Sequence, residues 1–303
     1  MRIRYLVFGE NKILSLNEIG TRLISCSADK IIKMWDLETF ECLKTFKGHN
    51  DKMLHVEKLP NNQILSCSKD KTIKLWDIDT GLCLDTFNHG HGVRSLKILS
   101  DRTFASGSYK EIKIWNIDDG RWIKTLNGHS CWVSDLLLLP NGYLVSCSLD
   151  KTIKVWNIDQ GICTKTLIGH TDVVYCLLLL NNGNLVSGSS DKTIKIWDLE
   201  SSTCVATLIE HTDWVLSLQL KQSGELISAS FDQTIKIWNL ETCTCIKTLN
   251  GHSGSIRSIR IYRDNQLVSC SGDGTIKFWD LETRRCTQTL EGHTKVVNGL
   301  TIL

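Results

Sequence analysis

The chain has 303 residues, with 35 basic and 33 acidic side chains and a formal net charge of +2. A balance that even gives no electrostatic support to a general nucleic-acid or membrane-surface role, so neither direct nucleic-acid binding nor membrane insertion is expected. Only two prolines, Pro60 and Pro140, are present, and no Gly/Ser-rich or charge-rich tract interrupts the chain as a linker would, so residues 1–303 are expected to form a single folded domain.

The first segment, Met1 to Phe8, carries two arginines and the apolar run Tyr5-Leu6-Val7-Phe8. That run is too short for a secretory signal or a bilayer span, which points to a soluble intracellular protein, cytoplasmic with the nucleus as the alternative. Residues 1–12 read as a peripheral strand or a poorly packed start. Beyond them, Ile13-Leu14-Ser15-Leu16 is a short apolar run, and Arg22 to Ser27 and Ile31 to Trp35 read as strands. From there the chain repeats itself. A Trp followed by Asp or Asn recurs at Trp35, Trp76, Trp115, Trp156, Trp197, Trp238 and Trp279, at spacings of 41, 39, 41, 41, 41 and 41 residues. A fixed period means that one supersecondary unit is copied, and that no copy buries its apolar faces alone.

The third copy departs from its siblings. It reads Ser106-Gly107-Ser108-Tyr109-Lys110-Glu111-Ile112, lacks an aspartate in its turn, and carries Asn88-His89 where other copies have Gly-His. The fourth copy shows the regular pattern. After Gly128-His129 come Trp132 to Leu139, a Pro-Asn-Gly turn, Tyr143 to Ser148, a turn through Leu149-Asp150-Lys151, and Thr152 to Trp156; Cys163 to Leu167 follows a further turn. Short apolar, β-branched runs divided by turn residues predict four strands, with no segment long or helically periodic enough for a helix. A later copy has Glu210-His211 in place of Gly-His but keeps Asp232. At the end, Val296 to Leu303 follows Gly292-His293 as one strand with no others behind it, so it is expected to complete the unit begun by Arg22 to Trp35. Ile13 to Leu16 is the competing candidate for that place.

Six of the thirteen cysteines, Cys42, Cys83, Cys163, Cys204, Cys245 and Cys286, lie seven residues after a repeat tryptophan, and Cys26, Cys67, Cys147 and Cys270 sit inside Ser-Cys-Ser triplets. Equivalent positions of successive copies fall in different sheets, so they cannot gather around one metal, and no metal or other cofactor is expected. At other copies the triplet site holds Gly107, Gly188 or Ala229, which marks it as a place for a small residue in a chain with reduced cysteines.

The recurring Gly-His, Ser-x-Ser-x-Asp-x-Thr-Ile-Lys and Trp-Asp/Asn resemble the WD40 repeat over nearly the whole chain. The resemblance implies an all-β, seven-bladed WD40 β-propeller with four antiparallel strands per blade, its ring closed by pairing of the N- and C-terminal repeat segments. It also implies a hydrogen-bonded network in each blade. Carried over by position, the sets are His49 with Asp70 and Trp76, His129 with Asp150 and Trp156, His170 with Asp191 and Trp197, His211 with Asp232 and Trp238, and His252 with Asp273 and Trp279. Ring closure would add His293 with Asp29 and Trp35. A Ser-His-Asp set raises the question of catalysis, but one repeated in copy after copy beside a Trp reads as a brace.

In this family, partners are gripped on the narrower face of the ring. The matching positions here are those before the turn Asp, namely Ala28, Lys69, Tyr109, Leu149, Ser190, Phe231 and Gly272, and those opening the innermost strand, Met53, Gly92, Trp132, Val173, Trp214, Ser255 and Val296. His55, Arg94, Ser134, Tyr175, Leu216, Arg257 and Asn298 follow. These positions vary while the rest is copied, and they supply aromatic and arginine side chains, the types that dominate binding hot spots. Met53, Lys69, Arg94, Tyr109, Trp132, Leu149, Tyr175, Trp214, Phe231 and Arg257 are therefore the candidate partner-binding residues, with packing of Trp132 and Trp214 into the core as the plainer alternative. The expected function is a non-enzymatic scaffold for a protein or peptide of unnamed identity. The alternative is the substrate-recognition propeller of a ubiquitin ligase of the F-box/WD40 kind, or of a larger signalling protein. No nucleophile elbow, phosphate-cradling loop or metal-ligand cluster argues for an enzyme.

Overall fold

The computed structural model describes residues 21–263 and 265–303. These residues form 27 β-strands in antiparallel sheets, and among them there is no helix. The second blade shows the plan: Met53–Leu59, Gln63–Ser68, Thr72–Asp77 and Cys83–Asn88 pair in sequence order from the innermost strand to the outermost. Blades five, six and seven repeat it, with innermost strands Val174–Leu179, Val215–Leu220 and Ile256–Arg263.

The third and fourth blades are fused. Trp122–Leu138 runs as one strand that is outermost in the third blade, against Tyr109–Asn116, and innermost in the fourth, against Leu144–Ser148. The first blade joins the two ends of the described chain. Val297–Ile302 pairs with Arg22–Ser27, with Leu300 opposite Ser25. Val297–Ile302 also packs against Ile256–Arg263 on one side and Met53–Leu59 on the other. The ring is therefore closed at seven blades, so that the inner sheet edges are short and protected around the axis. The competing segment Ile13 to Leu16 lies outside the described residues.

Burial peaks at the second strand of each blade and falls outward from there, and it explains the composition of each strand. The second strand of a blade is covered on both faces by neighbouring blades, so Ser146, Cys147 and Ser148 are all 0% exposed. Third strands alternate, and each buries its tryptophan. Outermost strands such as Ile162–Leu167 are exposed except for one anchor near the end, here Leu167. Lysines of these outer strands tie successive blades together: Lys44 bonds the carbonyls of Ile78 and Asp79, Lys124 that of Ile158 at 2.8 Å, and Lys165 that of Glu200 at 2.9 Å.

The small triplet residue faces the innermost strand. Gly188 pairs with Cys176. A Cβ on Gly188 would stand 2.6 Å from Val215 Cγ1 of the next blade and 2.7 Å from Cys176 Sγ, which leaves room for hydrogen alone. Where the facing residue is the small Gly299, a cysteine fits, as at Cys26. All thirteen cysteines are free. Burial pushes the Cys26 and Cys147 thiols far up and that of Cys270 to about 12, whereas Cys42, Cys83, Cys163, Cys204 and Cys286 are exposed.

Candidate functional site

Two sets of uncommon side chains emerge from this frame, one inside the blades and one around the axis. Inside six blades the histidine Nδ1 lies 2.7–2.8 Å from the aspartate Oδ2, in the pairs His49–Asp70, His129–Asp150, His170–Asp191, His211–Asp232, His252–Asp273 and His293–Asp29. Each Nε2 lies 2.7–2.8 Å from a serine Oγ, in turn Ser66, Ser146, Ser187, Ser228, Ser269 and Ser25. The same oxygens accept the indole N–H of Trp76, Trp156, Trp197, Trp238, Trp279 and Trp35 at 2.7–2.8 Å. A carboxylate can only accept, so Nδ1–H donates to it; in the neutral imidazole Nε2 then takes the serine proton, and the serine oxygen accepts the indole N–H.

The other carboxylate oxygen accepts the amide two residues on, such as Thr152 N–H at 3.0 Å. Burial opposes ionisation of Asp150, Asp191 and Asp232, but hydrogen bonds from the histidine, the threonine and nearby backbone amides outweigh it and hold the carboxyls well below the usual range. Since these serines are 0% exposed and engaged on both sides, the set is built to brace and presents no nucleophile to a substrate.

The third blade lacks this arrangement. Trp115 still donates to Ser106 Oγ at 2.7 Å, but among the described residues both ring nitrogens of buried His89 go without a hydrogen bond. Glu111 approaches Nδ1 only to 3.6 Å, and Lys113 bonds the His89 carbonyl at 2.8 Å. Burial, with the Lys113 charge beside it, pushes His89 down to about 3.

On one face of the ring, the residue before the turn Asp is bonded to the residue that opens the innermost strand. Phe231 N–H donates to the Trp214 carbonyl at 2.8 Å, Leu149 to that of Trp132 at 2.9 Å, and Lys69 to that of Lys52 at 2.9 Å. The last of these corrects the expectation for Met53. Met53 is 1% exposed and packs in the core with Phe46 and Trp76, and Lys52 occupies the surface position. The aromatic candidates do converge. Tyr175 and Trp214 have ring centroids 5.6 Å apart, Trp214 and Phe231 5.1 Å, and the Arg257 guanidinium sits 5.2 Å over the Phe231 ring. Tyr109 and Trp132 form a second pair at 5.5 Å. Trp214, Phe231 and Tyr109 are 38%, 37% and 40% exposed, and Trp132 is half-buried, so neither tryptophan belongs to the core. Lys69 is exposed and Leu149 half-buried beside them.

Tyr175 and Arg257 lie on innermost strands and Arg94 just before the strand Ser95–Ile98, and all three line the axial channel, a cavity of about 570 Å³. Burial lowers both arginine pKa values. Glu57, Lys97, Asp135 and Arg260 line the same cavity. Glu57 pairs with Lys97 at 3.0 Å, and Asp135 accepts the amides of Leu177 and Leu136, each at 2.9 Å. Burial nonetheless pushes Asp135 up to about 6. Sequence reasoning missed this residue, although a lone carboxylate inside the apolar run Val133 to Leu139 was a visible signal.

Comparison with known proteins agrees with this geometry. Seven segments match the family described as WD domain, G-beta repeat: residues 6–36, 40–77, 81–116, 120–157, 161–198, 202–239 and 243–280. The chain belongs to the WD40 repeat family. WD40 propellers are, in general, protein-interaction scaffolds and typically not enzymes. A stretch of 158 residues is 32% identical to nuclear distribution protein PAC1 of Coccidioides posadasii (strain C735), covering 44% of this chain and 34% of that protein. The chain thus spans about a third of the length of the curated relative it matches. Among the described residues, no helix is long and apolar enough to cross a membrane.

Proposed function

We propose that this WD40 chain folds as a single domain and is a non-enzymatic scaffold that holds a protein or peptide on the face bearing Tyr109, Trp132, Leu149, Tyr175, Trp214 and Phe231, with Lys69, Arg94 and Arg257 around it. The observation that carries the reading is the contiguous run Tyr175–Trp214–Phe231–Arg257, partly open to solvent. A soluble protein gains nothing by leaving such a cluster uncovered, whereas centrally placed aromatic and arginine side chains carry most of the energy in protein interfaces. The cytoplasm is the compartment this reading favours, since all thirteen cysteines are unpaired and several are exposed.

The test replaces Trp214 and Phe231 together by Ala and measures both thermal melting and recovery of partners from lysate. Loss of an aromatic anchor commonly costs 2 kcal/mol or more, about a thirtyfold loss of affinity. Partners should be lost with the fold intact. Unchanged recovery from a folded variant sinks the proposal, and a large drop in melting temperature would assign Trp214 to the core instead.

A further inference from the structure

The channel mouth holds charge that the protein does not neutralise. Arg94 and Arg257 both line it together with Tyr175, and among the described residues neither guanidinium makes an ion pair with a carboxylate. The Nε of Arg257 is buried without a hydrogen-bond partner among the described residues. The channel's own acids are engaged elsewhere, Glu57 by Lys97 and Asp135 by two backbone amides. A guanidinium cannot relieve its burial by losing its proton, so two of them lining one cavity keep their desolvation cost, and like charges across it repel. That cost is offset when an anion enters. The forked donors of arginine match the two oxygens of a carboxylate or phosphate, and Arg257 is already oriented by the Phe231 ring beneath it.

We propose that the channel mouth between Arg94 and Arg257 is a receptor for an oxyanion, a carboxylate or a phosphate, carried by the peptide whose apolar side chain rests on Trp214 and Phe231. This rests on the scaffold reading above and adds to it the chemical class of the ligand. The adjacency of the two features sets the order of the recognised motif: a bulky apolar residue and an acidic or phosphorylated residue close to one another in the bound segment. Tyr175, which lines the same cavity as both arginines and has its ring centroid 5.6 Å from that of Trp214, is the side chain that joins the two subsites.

The experiment pans a library of random linear peptides on the intact chain, on Arg94→Gln/Arg257→Gln and on Trp214→Ala/Phe231→Ala, each shown by melting to be folded. Arg94→Lys, which keeps the charge and loses the fork, stands in if the glutamine variant unfolds. The intact chain should enrich peptides that combine Asp or Glu with a bulky apolar residue. The arginine variant should retain the apolar preference and lose the acidic one. Peptides enriched for apolar residues with no excess of acids overturn the oxyanion receptor and leave the scaffold reading standing. No enrichment above bare resin, or enrichment that survives loss of Trp214 and Phe231, overturns the scaffold reading itself. The best clone is then synthesised with Asp, Asn or phosphoserine at the acidic position. Asn should weaken binding about tenfold or more, as expected for a lost hydrogen bond to a charged group. Tighter binding of phosphoserine than of Asp assigns the site to phosphate, and the reverse assigns it to carboxylate. Equal binding of all three overturns the receptor.

Discussion

His293 and Asp29 are 264 residues apart in the sequence, yet His293 Nδ1 and Asp29 Oδ2 stand 2.8 Å apart in the blade that both ends of the described chain build. The pair works together with the strand pairing of Val297–Ile302 on Arg22–Ser27. Asp29→Ala should therefore cost about 1–3 kcal/mol, as for any buried group stripped of its partner, and should also loosen ring closure. Amide exchange read by segment is expected to rise in residues 297–302 and 22–27 together. Unchanged protection of residues 297–302 would mean that closure is held by strand pairing alone.

The incomplete third blade makes a second prediction. Asp150→Ala should leave His129 and the amide of Ser130 short of an acceptor, at a cost of about 1–3 kcal/mol. The blade around His89 already lacks such an acceptor. In the unaltered protein, residues 103–115 are expected to exchange faster than residues 144–156. Equal or slower exchange there would show that Glu111 and Lys113 replace the brace.

The architecture was legible because a copied unit leaves a period, and because Trp, His, Asp and Ser recur at offsets that only a shared geometry explains. The phase of the innermost strands was not legible in their alternation. Each carries a bulge near its start, as between Met53 and His55 or between Val133 and Asp135, so the alternation that would tell an inward from an outward residue breaks where it is needed. The offset from the Gly-His histidine nonetheless fixes it, and Met53 was read one residue out of step: the position three beyond His49 is Lys52, as Trp132 is three beyond His129 and Trp214 three beyond His211. The backbone bond from Lys69 to Lys52 agrees with that count. Contacts between blades left no such mark: His55 accepts the amide of Leu96 in the next blade at 3.1 Å, a partner that local sequence does not reveal.

Packing around Gly188 predicts that a single methyl group is too much. Gly188→Ala should destabilise by about 1–3 kcal/mol, the usual cost of overfilling a core. Because the nearest clash is with Val215, a double-mutant cycle with Val215→Ala should show favourable coupling by chemical denaturation. Strict additivity would place the strain elsewhere.

The pH dependence of stability should carry the mark of His89. Its folded pKa is lowered from 6.5 to about 3, so the native state binds fewer protons than the unfolded chain within that window. The stability tied to this group is full above pH 6.5 and is lost as the pH falls toward 3. His89→Gln should flatten the decline of melting temperature with falling pH in that range. A decline as steep as in the unaltered protein would mean that other histidines account for it.

The placement of the thiols gives the ring an internal set of reporters. Cys26, Cys67, Cys147, Cys176 and Cys270 are sealed in the first, second, fourth, fifth and seventh blades, with thiols that burial holds protonated, while Cys42, Cys83, Cys163, Cys204 and Cys286 of the outer strands stand in solvent. A reagent that alkylates cysteine would mark the outer set at once and each sealed thiol only when its own blade comes apart. The order in which the five are marked would be a timetable of opening, blade by blade, written by the natural chain without an added label.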